Sequence, residues 1–250
     1  MARATVLGRL TWRAAQVVEV HHESPTARTL VLEVPSWPGH LAGQHVDVRL
    51  TAEDGYSAQR SYSIASAPDG TRVELTVQRL PDGEVSPYLT EVLAPGDPLE
   101  LRGPIGGWFV WRPDEEAPTL LTAGGSGVVP LMAMLRTRIA GGSTRPMRLI
   151  YSTRGPDTLL YQEELERLGD QDPGLRLDLV YTRSAPAGWS GPVGRLDASL
   201  LATLAWPPAD RPACFVCGPT GFVEAVANLL IDQGHDPQRI KTERFGPSGS

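Results

Sequence analysis

"TLLTAGGSGVVPLMAMLRTRIAGG", residues 119–142, holds two structural rhythms in one stretch. It opens as a short apolar run, passes through Gly124, Gly125 and Gly127, and continues with apolar residues at helical spacing. Pro130 stands near the start of the helical part, and Gly141 and Gly142 end it. A buried strand, a glycine turn and a helix in that order form the opening of a β-α-β unit. Toward the C-terminus the pattern repeats. "MRLIYS", "LRLDLVYT", "ACFVCG" and "IKTERF" are apolar runs, and "LLYQEELERLG", "ASLLATL" and "GFVEAVANLLIDQG" are the helical segments between them. The alternation predicts an α/β domain with a parallel sheet of about five strands.

Toward the N-terminus the period changes to two. "QVVEVHH", "TLVLEV", "QHVDVRL", "RSYSIAS", "VELTVQRL" and "PLELRG" alternate, with turn signals such as "SWPGHLAG", "AEDGYS" and "APGDP" between them. Six short strands at this spacing predict an antiparallel barrel or sandwich. One helix interrupts them, with Ser86 as its N-cap and Pro87 in its first turn. "VWRPDEEAPT", residues 110–119, reads as a polar linker, which divides the chain into domains at 1–113 and 114–250.

Composition narrows the function. The 250 residues are 41% hydrophobic and 21% charged, with a net charge of −6, which argues against a nucleic-acid polyanion as the main partner. The longest apolar run, Val128 to Leu135, falls far short of the roughly 20 residues of a membrane span. The first residues carry scattered Arg without a signal-peptide core, so the expected location is cytoplasmic and no membrane partner is expected. Two cysteines, Cys214 and Cys217, exclude a disulfide framework and a four-thiolate iron–sulfur or zinc site within this sequence, and no metal site is expected.

The glycine turn allows a pyrophosphate to approach the first amides of the following helix, at Gly125, Ser126, Gly127 and Val128. Ligands of open parallel sheets bind beyond the carboxyl ends of the strands. Ser152 and Arg154, Thr182 and Arg183, and Cys217-Gly218-Pro219 all fall at such ends. Arg183 suits charge-assisted hydrogen bonds to a 2′-phosphate, with Arg154 and Arg195 as further candidates. Phe215 and Val216 continue an apolar strand, so Cys214 reads as a core residue, while Cys217 ends the strand toward the ligand crevice. In the first half, "RSYS" groups Arg60, Tyr62 and Ser63, a set suited to a ligand that is anionic at one end and flat at the other. "DGEVSPYL", with Gly83, Val85 and Ser86, adds a second anion site in the same half.

In order, "RSYSIAS", "DGEVSPYL", "AGGSGVVP", "VCGPTGF" and "KTERF" resemble the motif set of the ferredoxin–NADP(H) reductase family of flavoproteins. The resemblance spans about residues 12 to 246 and implies an FAD-binding antiparallel β-barrel followed by an NAD(P)-binding domain. It implies that Arg60 and the backbone of Gly83 to Ser86 hold the FAD pyrophosphate. Tyr62 would lie against the isoalloxazine, and Ser63 would reach its hydride-accepting edge. Gly125, Ser126 and Gly127 would hold the NADP (or NAD) pyrophosphate, and Cys217 would sit where the nicotinamide arrives. Glu243 matches the family's acidic residue near the flavin, and Phe245 its C-terminal aromatic. Ser63, Cys217 and Glu243 would shape the hydride contact. Val129 departs from the Thr of many members, "GPSGS" follows Phe245, and the fused [2Fe–2S] domain of many relatives has no thiols here. The implied partners are NAD(P)H and a separate one-electron acceptor, a ferredoxin or an oxygenase component. A flavin reductase, or a complex-dependent FAD-binding subunit without its own NAD(P)H activity, is the alternative.

Overall fold

The computed structural model describes residues 10–246, so the expected domain ends at 1–9 and 247–250, including most of "GPSGS", lie outside the described residues. The first half folds as six antiparallel strands: β1 (Trp12–Ser24), β2 (Ala27–Glu33), β3 (His45–Thr51), β4 (Ser57–Ser63), β5 (Arg72–Gln78) and β6 (Pro98–Ile105). Their order is β4-β3-β6-β1-β2-β5. Just past β4 the two outer strands meet: Ile64 bridges to Leu75, and the Ala65 N–H donates to the Glu74 carbonyl at 2.8 Å. This joins the edges and closes a barrel, which removes unpaired strand edges. Alternation then sends Leu30, Leu32, Val46, Val48, Val73, Leu75 and Leu101 into one apolar interior.

The second half is doubly wound. Parallel strands β7 (Thr119–Gly124), β8 (Met147–Thr153), β9 (Leu175–Tyr181), β10 (Ala213–Pro219) and β11 (Ile240–Phe245) lie in the order β11-β10-β7-β8-β9. The strand order reverses between β7 and β10, which makes that gap the topological switch point. Leu121, Ala123, Leu149, Tyr151, Phe215 and Cys217 pack on one face with α1 (Val128–Ala140) and α2 (Gln162–Gln171). Leu120, Ile150, Cys214 and Val216 pack on the other with α3 (Ala198–Leu204) and α4 (Thr220–Asp232). Cys214 and Cys217, three apart on one strand, therefore face opposite layers, and both are free thiols.

Two sequence expectations change. The stretch 110–119 is a linker only in part, because Val110 and Trp111 are buried. The Trp111 N–H donates to the Ala42 carbonyl at 3.1 Å, its indole N–H donates to Thr119 Oγ1 at 3.2 Å, and Phe109 meets Phe215 edge-on at 5.5 Å. One apolar core thus runs from the barrel into the sheet. Ser86 is not an N-cap either. The chain after it makes a wide helical turn, Tyr88–Val92, closed by the Leu93 N–H on the Tyr88 carbonyl at 3.0 Å, and no side chain caps it. The buried Ser86 hydroxyl instead accepts the Leu80 N–H at 3.0 Å, pinning the turn before it.

Candidate functional site

At the switch point β7 delivers the glycine loop. Gly125–Gly127 makes one tight turn that feeds straight into α1, whose first N–H groups and positive dipole end lie at the carboxyl edge of the sheet. Gly127 faces β10: a Cβ there would stand 2.1 Å from the Cys217 carbonyl oxygen and 2.7 Å from the Gly218 nitrogen. Only glycine permits that approach. Gly125 has φ +56° and open space above its Cα, so the loop leaves room for a ligand. Gly124 and Gly218 lie against the Phe222 ring, a packing partner that the sequence reading missed although it sits inside the quoted "GPTGF". Val128 is fully buried, and its N–H donates to the Gly125 and Ser126 carbonyls, so it closes the turn.

The register pairs Cys217 of β10 with Glu243 of β11. Phe215 and Lys241 are paired two residues earlier, and the Lys241 ammonium lies 5.0 Å from the Phe215 ring centroid and donates to the Val110 carbonyl at 3.0 Å. Cys217 is fully buried rather than open to a crevice, and burial raises its pKa well above the ordinary thiol value, so it stays protonated. Burial also pushes the Glu243 carboxyl up to about 7, and its Oε2 has no hydrogen-bond partner. Phe245, paired with Pro219, is half-buried against the same core.

At the ends of β8 and β9, Arg154 and Arg183 are brought together. The Arg183 and Ser184 N–H groups both donate to the Arg154 carbonyl, at 3.0 and 3.1 Å, and Thr182 donates to the Thr153 carbonyl. Both arginines are exposed, as is Arg195 on the loop that follows.

In the barrel, Arg60 and the "DGEVSP" turn form one cluster. Arg60 Nη2 lies 2.9 Å from Glu84 Oε2, and the Tyr56 hydroxyl donates to Glu84 Oε1 at 2.7 Å. The guanidinium thus already holds an anion, in a cluster whose Tyr56 and Glu84 went unremarked in the sequence. Register sets Arg60 opposite Val48 and Tyr62 opposite Val46, whereas Ser63 lies opposite His45 on the other side of the strand. Tyr62 packs against the barrel core, and burial raises its pKa to about 12. Val85 is fully buried, and its carbonyl accepts the Leu89 N–H at 3.2 Å. Gly83 donates to the Leu80 carbonyl at 2.9 Å in the pinned turn.

A closed barrel with an anion-holding arginine, sharing one core with a doubly wound sheet whose glycine loop opens at the switch point, defines a protein built to bring two dinucleotides together. The comparisons carry this further. Residues 14–110 match an oxidoreductase FAD-binding domain and residues 121–228 an oxidoreductase NAD-binding domain. A ferredoxin–NADP reductase B of Sorangium cellulosum is 35% identical over 239 residues, 92% of this chain and 96% of its own length. A glycine betaine monooxygenase reductase subunit of Chromohalobacter salexigens is 34% identical over 207 residues, and there the match spans 82% of this chain but 55% of the relative. Among solved structures, the FAD/NAD-binding domain of a Vibrio cholerae nitric oxide dioxygenase superposes with a TM-score of 0.84 at 27% identity, covering 94% of this chain and 99% of that one. The chain belongs to the ferredoxin–NADP(H) reductase family of FAD- and NAD(P)-binding oxidoreductases.

The residues present fit both cofactors. The Arg60 donor set suits a phosphate oxygen as it suits the Glu84 carboxylate. The open space at Gly125 suits a second pyrophosphate, and Glu243 Oε2 is buried without a hydrogen-bond partner.

Proposed function

We propose that the chain oxidises NADPH, with NADH as the poorer donor, and passes the electrons singly to a separate protein, a ferredoxin or an oxygenase component. FAD, when bound, supplies the conversion of a two-electron donor into two one-electron steps. Arg60 and the turn that runs through Gly83, Val85 and Ser86 hold its pyrophosphate, while Tyr62 and Ser63 flank its ring. Gly125, Ser126 and Gly127, at the start of the helix that Val128 opens, hold the nicotinamide dinucleotide, with Arg154, Thr182 and Arg183 at its 2′-phosphate. Pro219 lines the approach of the nicotinamide with Cys217 and Gly218 in the buried wall behind it, Glu243 holds a proton beside it, and Phe245 covers the ring. The protein contributes orientation and a dry surrounding rather than a nucleophile.

The observation that carries this reading is the meeting of Gly127 with the Cys217 carbonyl at the switch point, one strand away from Glu243, whose Oε2 is buried without a partner. The named activities of the Sorangium and Chromohalobacter relatives support the choice of acceptor class. The test is an anaerobic titration of the FAD-reconstituted protein with NADPH and, separately, NADH, followed by absorbance. Bleaching at low NADPH supports the reductase. Flavin bands that neither nucleotide bleaches would replace it with a subunit active only inside a complex.

A further inference from the structure

The seam between barrel and sheet contains a polar knot that the proposed chemistry leaves unused. Its centre is Arg136, on α1, the helix that starts at the glycine loop. Its Nη1 donates to the Ala65 carbonyl at 3.0 Å and lies 2.7 Å from Glu74 Oε2. Its Nε and Nη2 form a bidentate pair with Glu164 of α2 at 3.0 and 2.6 Å. The guanidinium stands 5.1 Å from the centroid of the Tyr161 ring. Ala65 and Glu74 are barrel residues, paired across the ladder that closes it.

Tyr161 extends the knot. It sits in the left-handed region at φ 58°, which turns its N–H to Glu23 Oε2 at 3.1 Å and its hydroxyl to Thr76. Thr76 donates to the Thr29 hydroxyl at 2.7 Å, and Thr29 donates to Glu23 at 2.6 Å. Barrel strands β1, β2 and β5 are thereby tied to α1 and α2 by directional bonds, where apolar packing alone would tolerate sliding. Arg138, two residues on, is the contrast. It is more fully enclosed, 1% exposed against 20% for Arg136, but its partners Asp172 and the Arg145 carbonyl belong to the same domain.

Ala65 lies two residues beyond Ser63, and α1 begins at the dinucleotide loop. One side chain therefore joins the end of the Arg60–Ser63 strand to the helix under the second half-site. We propose that Arg136 is a positioning residue, locking α1 to the Ala65 strand end so that the two dinucleotide half-sites keep one relative placement. The consequence for hydride transfer rests on the function proposed above; the lock itself does not.

Two measurements on the FAD-loaded full chain test it. In Arg136→Met, amide hydrogen exchange speeds up at residues 64–66 and 74–76. In Arg138→Met the increase stays within residues 138–147 and 172–175. In stopped-flow reduction by NADPH, Arg136→Met lowers the limiting rate constant about 10- to 100-fold with little change in nucleotide dissociation constant. Arg138→Met keeps the parent rate, although it loses thermal stability. If Arg136→Met does not fold, Glu74→Gln cuts the barrel-side ion pair alone and shows the same pattern more weakly. Unchanged exchange at 64–66 overturns the lock. Faster exchange there with an unchanged reduction rate overturns the positioning role. A parent chain that NADPH does not reduce overturns the proposed function instead, and the exchange pattern still decides the lock.

Discussion

Cys217 and Glu243 stand directly opposite each other on adjacent parallel strands, a fully buried thiol beside a carboxyl that has one oxygen without a partner. Neither charge is balanced there, so the site favours the protonated form of both groups.

The carboxyl makes stability depend on pH in a defined direction. Its folded-state pKa is raised by burial from 4.5 to about 7, so between those values the folded chain binds more protons than the unfolded one. Stability from this group is fully present below the unfolded value and declines as pH rises through the folded value. Glu243→Gln removes the dependence. Chemical denaturation should give equal stabilities for variant and parent near the lower value, and a more stable variant above the upper one, by on the order of 3 kcal/mol at most. Parallel curves at every pH would show that the carboxyl ionises freely in the fold.

Two alanine substitutions in the glycine loop separate packing from ligand room. Gly127→Ala drives a methyl into the Cys217 carbonyl, 2.1 Å away, and forces β7 and β10 apart. It should cost about 1–3 kcal/mol or more and abolish nucleotide binding. Gly125→Ala meets no neighbour but must hold φ +56°, at a cost of about 1 kcal/mol. Its melting temperature should stay near the parent's while NADPH binding weakens. Thermal melts with and without NADPH check both, and a Gly127→Ala protein that melts like the parent contradicts the close approach.

Those glycines were legible because a strand, a glycine cluster and a helix in sequence leave few other readings. All eleven strands among the described residues followed from periods of two and from short apolar runs, since alternation maps directly onto a face. What stayed hidden depends on register and on contacts between distant segments. Val110 and Trp111 look like the start of a linker until the barrel's Ala42 is seen to receive the Trp111 N–H. Ser86 followed by Pro87 has the form of a cap, but the wide turn leaves its hydroxyl to Leu80 instead. The Arg136 knot had one local signal, two arginines inside the mostly apolar "MAMLRTRIA", which promise buried partners without naming them.

Arg60 and Glu84 allow a test of the barrel half-site. In the structure the guanidinium is engaged by Glu84, and the Tyr56 hydroxyl holds the carboxylate lower than the usual range. A pyrophosphate must share or displace that partner. Arg60→Ala should weaken FAD binding about tenfold or more and flatten its salt dependence, whereas Glu84→Gln should tighten it severalfold. Fluorescence quenching of FAD on titration with apoprotein gives both constants. Weaker binding by Glu84→Gln would mean that the carboxylate orients Arg60 rather than competing for it.

The last prediction concerns the choice between nucleotides. Arg154 and Arg183 project from neighbouring strand ends that are stitched by the Arg183 N–H on the Arg154 carbonyl, at 3.0 Å, and both side chains are exposed. Among the described residues neither takes part in a salt bridge, so both charges are available to a dianion. A 2′-phosphate is the group by which NADPH differs from NADH, and a guanidinium can meet two of its oxygens at once. Arg183→Ala should therefore raise KM for NADPH about 10- to 100-fold and leave KM for NADH and kcat for both nearly unchanged. Arg183→Lys should recover only part of the loss, because an ammonium keeps the charge without the planar pair of donors. Equal effects on the two nucleotides would remove Arg183 from the 2′-phosphate and move the test to Arg154.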